Sequence, residues 1–169
     1  MNKKLWIIII CLLCCACNSK NKVIKFKEEY EKYNKEYIEL NLENANIIKY
    51  SNNEEINEII KNKTGVIYIG SPKDNLSRKA IEILLDAADN TGLEKIYYIN
   101  NLDNIEGIDE IENQKIPLVL FILDGKVVGS HIGTINDKTD LTEDETIELY
   151  NIYVEGIHKV LQDACDEEC

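Results

Sequence analysis

Two β-rich runs on either side of an Asp-Gly pair decide the fold of this chain. They are Ile116-Pro117-Leu118-Val119-Leu120-Phe121-Ile122-Leu123, then Asp124-Gly125, then Lys126-Val127-Val128-Gly129-Ser130-His131. Asp-Gly between runs of this kind is the strongest short-range signal for a β-hairpin. The stretch therefore predicts an antiparallel hairpin over 116–131 in which a proline opens the first strand.

Upstream of the hairpin, the pattern predicts a strand-helix-strand unit. The two strands, over 65–70 and 96–99, are short and apolar throughout. A helix from about Asn75 to Gly92 lies between them and carries one apolar face, made by Leu76, Ala80, Ile83, Leu84 and Ala87. Strands that are apolar on both faces are typical of a parallel sheet, which predicts a right-handed crossover.

The remaining elements are predicted from periodicity and capping signals. They are an amphipathic helix over 23–35, strands over 37–42 and 47–50, a helix that ends near Ile60, and a closing helix after residue 142. Ser51 is the expected N-cap of the helix that ends near Ile60, with Glu54 as its capping-box partner. Thr142 and Glu145 form a second capping box that opens the closing helix.

This order of elements resembles that of thioredoxin-like proteins, which place a proline before a β-hairpin and end with a helix. The most similar subgroup is the bacteriocin transport accessory type of thioredoxin-like lipoprotein. The resemblance to it is carried by Gly65-Val66-Ile67-Tyr68-Ile69-Gly70-Ser71-Pro72 and Asn151-Ile152-Tyr153-Val154-Glu155-Gly156-Ile157. The resemblance covers roughly residues 47–161. It implies an α/β, thioredoxin-like fold, here with an N-terminal helical extension.

The resemblance also implies that the redox cysteines of the family fall on Asp74 and Ser77. The first cysteine of such a pair attacks a substrate disulfide as a thiolate, and the second resolves the mixed disulfide. Neither side chain here carries sulfur, so we expect no turnover at this degenerate site. Asp74 is instead suited to cap the following helix, and Ser77 to hydrogen-bond with it.

Two other readings of this region follow from the residues that remain. Ser77 as a nucleophile needs a base, and the chain offers only His131 and His158; no acid partner or glycine-rich elbow accompanies them, so we favour a structural role for all three. The resemblance further implies a groove at Ile116 and Pro117, where an extended peptide pairs with the backbone before the proline. We expect this groove to bind a peptide or an extracytoplasmic protein.

The N-terminus predicts export. Lys3 and Lys4 precede an apolar stretch over 5–13 that is shorter than the ~20 residues needed to span a bilayer. Cys17 follows a small residue where the stretch ends, a pattern typical of lipoprotein signals, although Cys14 stands where an aliphatic residue is usual. We expect a signal peptide over 1–16, a lipid on Cys17, and a mature protein on the outer face of the bacterial membrane. An uncleaved anchor helix and a plain secretory peptide are the alternatives.

Charge excludes one class of partner. Removal of residues 1–16 takes away two lysines and no acid, so the net charge changes from −12 to −14. A protein this acidic repels nucleic acid. The mature chain is then expected to comprise an N-terminal helical or extended segment over 17–45, a thioredoxin-like domain over 46–163, and an acidic tail over 164–169.

The tail contains the last two cysteines, Cys165 and Cys169. In an oxidising compartment a disulfide between them is the favoured interpretation. The alternatives are a redox-active pair, which would make the protein a thiol-disulfide oxidoreductase, and metal capture by two thiols with carboxylates. We assign no cofactor and no metal site. The function expected from the whole sequence is a lipid-anchored binding or secretion-accessory module that lacks redox activity at the usual position.

Overall fold

The computed structural model describes residues 22–108 and 115–161. Its elements are α1 (22–31), a 3-10 turn (Ala45–Ile47), β1 (Ile48–Tyr50), α2 (Asn53–Asn62), β2 (Gly65–Ile69), α3 (Asn75–Thr91), β3 (Ile96–Ile99), β4 (Leu118–Leu123), β5 (Lys126–His131) and α4 (Glu143–Leu161). The fold is α/β, as predicted from the alternation of apolar strands with amphipathic helices.

One mixed sheet organises the described residues, in the strand order β1-β3-β2-β4-β5. β1, β3 and β2 are parallel, and β4 is antiparallel to both β2 and β5. The predicted hairpin is confirmed: Asp124 and Gly125 both have positive φ, which the tight turn requires. Because β4 is antiparallel to β2, its first residue lies at the edge of the sheet where β1, β2 and β3 end.

Each face of the sheet has its own hydrophobic core. Residues Val66, Tyr68, Ile96, Tyr98, Val119 and Phe121 face α3 and α4. Residues Ile67, Ile69, Leu118, Leu120 and Ile122 face α2 and the loop that contains Ile105 and Ile108. The strands are thus buried on both faces, which is why their sequences are apolar without alternation.

The N-terminal segment is part of the first of these cores. Phe26 and Tyr30 of α1 are fully buried against α3 and β3, and Leu40 and Leu42 are buried beyond them. The strand predicted over 37–42 is wrong, because these residues form no ladder with the sheet. Their polar backbone groups bond to side chains instead: the Ile38 N–H donates to Asn75 Oδ1 over 2.9 Å.

The capping predictions have mixed outcomes. Thr142 and Glu145 make the reciprocal bonds of a capping box, with the Thr142 N–H donating to the carboxylate and the Glu145 N–H to Thr142 Oγ1. The cap predicted for α2 at Ser51 is wrong. Asn52 is the N-cap and accepts from the Glu55 N–H, while the Ser51 hydroxyl donates to the Lys49 carbonyl.

Candidate functional site

The candidate site lies at the sheet edge where β2 ends and β4 begins. Ile69 pairs with Leu118 in the last described rung between the two strands. Ser71 and Ile116 each lie two residues beyond this rung, at the same edge of the sheet. The turn over 71–73 then leads into α3, so the site comprises this turn, the first turn of α3 and the chain that precedes β4.

Asp74 is the N-cap of α3 and is bonded twice to Ser77. One carboxylate oxygen, Asp74 Oδ2, accepts from the Ser77 N–H over 2.7 Å and from the Ser77 hydroxyl over 2.6 Å. Ser77 Oγ in turn accepts from the Ser71 N–H over 3.1 Å. A carboxylate at this position satisfies a donor of the first helical turn and complements the helix dipole, so both residues have the structural role predicted for them.

A buried tyrosine on β2 hydrogen-bonds to the first turn of α3. The Tyr68 hydroxyl donates to the Ser77 carbonyl over 2.6 Å, and Tyr68 is fully buried. Burial raises the pKa of the Tyr68 phenol well above its ordinary value, and the neighbouring Tyr30 adds to the rise. The phenol therefore stays protonated and remains a hydrogen-bond donor over the whole neutral range.

The geometry gives no support to a nucleophilic Ser77. Its side chain is 0% exposed, and its hydroxyl already donates to Asp74 and accepts from Ser71. His131 Nδ1 accepts from the Gly133 N–H over 3.1 Å, and in the described residues no hydrogen bond joins Ser77 to His131. Burial lowers the pKa of His131, against an opposing effect of Glu148. His158 is exposed on α4.

Ile116 and Pro117 line the opposite side of the site. Their peptide bond is cis, Pro117 is buried, and Ile116 is half-buried. Within the described residues, neither the N–H nor the C=O of Ile116 takes part in a hydrogen bond. Backbone groups of this kind are available to pair with an added extended chain.

Arg78 anchors the N-terminal segment to the first turn of α3. Its side chain is 0% exposed and donates to the carbonyls of Tyr30, Ile38 and Pro72 and to Asn34 Oδ1. The guanidinium also lies over the ring of Tyr30, 5.4 Å from its centroid. Burial lowers the pKa of Arg78, but four acceptors around the fork geometry match a charged guanidinium.

A surface pocket of about 320 Å³ opens beside the turn over 71–73. Lys32 and Tyr33 from the turn that follows α1 form one wall, and Lys73 forms another. Both lysine ammonium groups lie over the Tyr33 ring, at 5.3 and 5.1 Å from its centroid. The pocket therefore brings two positive charges to the immediate neighbourhood of the capped helix.

Sequence reasoning missed Arg78, Lys32, Tyr33 and Lys73. The partners of Arg78 on the N-terminal segment are 40 to 48 residues away in the chain. Lys32 and Lys73 meet only because α1 packs beside the end of β2. The position of Lys73 next to Pro72 was the one available signal, and it marks a turn rather than a binding pocket.

Several predicted residues lie outside the described part of the chain. They are Cys17 with the signal segment over 1–16, and the pair Cys165 and Cys169 with the tail over 164–169. Within residues 22–108 and 115–161, no helix is both long enough and apolar enough to cross a membrane. The same residues contain no group of three or more potential metal ligands among His, Cys, Asp and Glu.

Comparison with known proteins found little similarity. No family model matches the chain. A curated protein to which the chain is similar is the alanine–tRNA ligase of Malacoplasma penetrans (strain HF-2), with 32% identity over 95 residues. That alignment covers 50% of this chain and 10% of the ligase, so the chain spans about a tenth of the relative it matches. The similarity places the chain in no family.

Proposed function

We propose that this chain is a thioredoxin-like binding module that has lost its dithiol and holds an extended peptide or a partner protein. In this proposal the module is lipid-anchored through Cys17 and exposed on the outer face of the bacterial membrane. It captures its partner at the groove formed by Ile116 and Pro117. It carries out no thiol-disulfide exchange at the first turn of α3.

The proposal of a thioredoxin-like fold is supported by the arrangement of the described elements. The strand order β1-β3-β2-β4-β5, with β4 and β5 antiparallel to each other, agrees with the resemblance drawn from the sequence. Pro117 lies directly before β4 and beside the end of β2, where the resemblance requires it. The start of α3 and the start of β4 are therefore neighbours at one edge.

The proposal of a binding role rests on one observation, the closed bonding of Asp74 and Ser77. The site that would hold a reactive pair instead holds a helix cap whose donors and acceptors satisfy one another. A carboxylate that caps a helix cannot form a mixed disulfide. Ile116 nevertheless retains unpaired backbone groups on the facing chain, which suit peptide pairing rather than catalysis.

Restoring the dithiol tests the proposed fold and the proposed inactivity together. In a background with Cys165→Ala and Cys169→Ala, the double variant Asp74→Cys/Ser77→Cys should gain the ability to reduce insulin disulfides. The matched control is Thr142→Cys/Glu145→Cys. It places two cysteines at the same N-cap and N3 positions of α4, away from Pro117, and should remain inactive.

Insulin reduction by the parent chain tests the alternative function, an oxidoreductase that works through Cys165 and Cys169. We expect the parent chain to show no insulin reduction, with or without Cys165 and Cys169. Activity in the parent that is abolished by Cys165→Ala would replace the binding module by an oxidoreductase that works through the tail. Failure of Asp74→Cys/Ser77→Cys to gain activity while it remains folded would contradict the thioredoxin-like assignment.

Peptide capture is tested by cross-linking. A photoreactive benzoylphenylalanine is introduced at Ile116 of the full chain in detergent, and peptides are selected from a random extended library. The control carries the same group at Val127, which is exposed at the other end of β5. We expect selected peptides to be labelled from position 116 and not from position 127.

A further inference from the structure

We propose that the peptide held at Ile116 carries a carboxylate, which Lys32 and Lys73 receive in the pocket beside the groove. This inference rests on the proposed peptide-binding function and adds the chemical class of the partner. It is supported by the charge of the pocket, by the position of both lysines over the Tyr33 ring, and by the place of the pocket at the same sheet edge as Ile116.

The two lysines are distinguished by the ring and the pocket that they share. Seven other lysines in the described residues pair with an aspartate or glutamate within 4.0 Å. Lys32 and Lys73 form no such pair within the described ranges, and each instead contacts the Tyr33 ring. Two ammonium groups held around one ring repel each other, so an anion between them is favoured.

One acid shares the pocket with these lysines and is bonded through one of its two carboxylate oxygens. Glu29 also lines the pocket, but its Oε1 accepts from Asn100 Nδ2 over 3.0 Å. The same Asn100 amide donates to the Tyr50 hydroxyl over 3.1 Å, which holds the Glu29–Asn100 pair on the side of β1. The pocket lining therefore carries two lysines against one carboxylate, despite the acidity of the whole protein.

The pocket and Ile116 lie at the same edge of the sheet. The turn that begins with Ser71 and Pro72 forms part of the pocket lining. Ser71 lies two residues after the last residue of β2, and Ile116 two residues before the first residue of β4, which pair with each other. An extended peptide advances about 3.3 Å per residue. We place its carboxylate a few residues along the peptide from the one that pairs with Ile116. A carboxylate there comes from an acidic side chain or from the C-terminus of the peptide.

The test uses the full chain and four versions of one selected peptide. The peptide carries Glu or Gln at the position nearest the lysines, each with a free or an amidated C-terminus. Binding is measured by fluorescence anisotropy to the parent and to Lys32→Gln/Lys73→Gln. The matched control, Lys95→Gln/Lys126→Gln, removes two lysines from the opposite edge of the sheet, where β3 and β5 begin.

We expect the Lys32→Gln/Lys73→Gln variant to bind the carboxylate-bearing peptide roughly three- to tenfold more weakly than the parent does, as exposed charge pairs allow. The Gln, amidated peptide should bind both proteins equally, and the control should bind like the parent. A Lys73→Glu variant should reverse the preference and favour a lysine-bearing peptide. Comparing the four peptides identifies whether the side chain or the terminus supplies the carboxylate.

Two different failures are distinguishable. If peptides cross-link to position 116 but bind equally with and without carboxylates, the inference about Lys32 and Lys73 is overturned and the binding module stands. If no peptide is labelled from position 116, the proposed function is overturned and the inference with it.

Discussion

At the scale of single residues, Asp74 determines how the first turn of α3 is stabilised. One of its oxygens receives both the N–H and the hydroxyl of Ser77, and Ser77 also binds Ser71. Ser77 is fully buried, so its polar groups depend on these bonds for satisfaction. Asp74 thus contributes to the stability of the helix start.

We expect Asp74→Ala to lower the free energy of unfolding by about 1 kcal/mol, within a range of about 0.5 to 2 kcal/mol for lost N-caps. Asp74→Asn should lower the free energy of unfolding by only about a few tenths of a kcal/mol, because asparagine also caps helices. Urea unfolding followed by circular dichroism measures both variants. Equal stability of Asp74→Ala and the parent would show that the cap contributes nothing.

At the scale of elements, α4 packs on β4 through a glycine. A Cβ atom on Gly156 would lie 2.4 Å from ring atoms of Phe121, which is far inside van der Waals contact. Phe121 is contacted from the neighbouring strand by Gly129, where a Cβ would lie at an ordinary 3.4 Å. The Phe121 ring therefore leaves no room for a Cβ atom at Gly156 but accommodates one at Gly129.

Gly156→Ala should destabilise the protein by about 1 to 2 kcal/mol. Overpacking costs about 1 to 3 kcal/mol, and the better helix propensity of alanine recovers about 1 kcal/mol at most. Gly129→Ala should be neutral or stabilising by up to about 1 kcal/mol, because a strand glycine loses more entropy on folding. Thermal unfolding of the two single variants checks the contrast, and equal effects would contradict the packing described.

At the scale of the whole molecule, an aromatic cluster joins the N-terminal segment to the sheet. Tyr98 lies 4.9 Å from Phe26, 5.8 Å from Tyr30, 5.2 Å from Tyr50 and 5.9 Å from Tyr68 between ring centroids. Burial raises the pKa of Tyr30, Tyr68 and Tyr98, and it does so for Tyr153 beneath α4 as well.

These raised pKa values predict alkaline unfolding. A phenol titrates near pH 10 in the unfolded chain and above that in the folded one, so stability is complete below about pH 10 and falls as the pH rises above it. Phenolate absorbance of the buried tyrosines at 295 nm should therefore appear only together with the loss of circular dichroism. An absorbance that reaches the value for all nine tyrosines while the circular dichroism is still native would contradict the burial.

The sequence by itself determined the features that are encoded by neighbouring residues. Asp124-Gly125 specified the hairpin because the turn requires two adjacent residues with positive φ. Thr142 and Glu145 specified the start of α4 because a capping box involves only four consecutive residues. The position of Asp74 as a cap was predicted for the same reason, since its partner Ser77 is three residues away.

Only the tertiary structure decided the features that join distant segments. Residues 37–42 alternate like a strand, but the Ile38 backbone bonds to Asn75 and Arg78 rather than to a neighbouring strand. Arg78 resembles an ordinary surface arginine in the sequence, yet it is fully buried under carbonyls of the N-terminal segment. Lys32 and Lys73 form a pocket for the same reason. Contacts across 40 or more residues depend on how α1 packs against the sheet, and no local pattern records that packing.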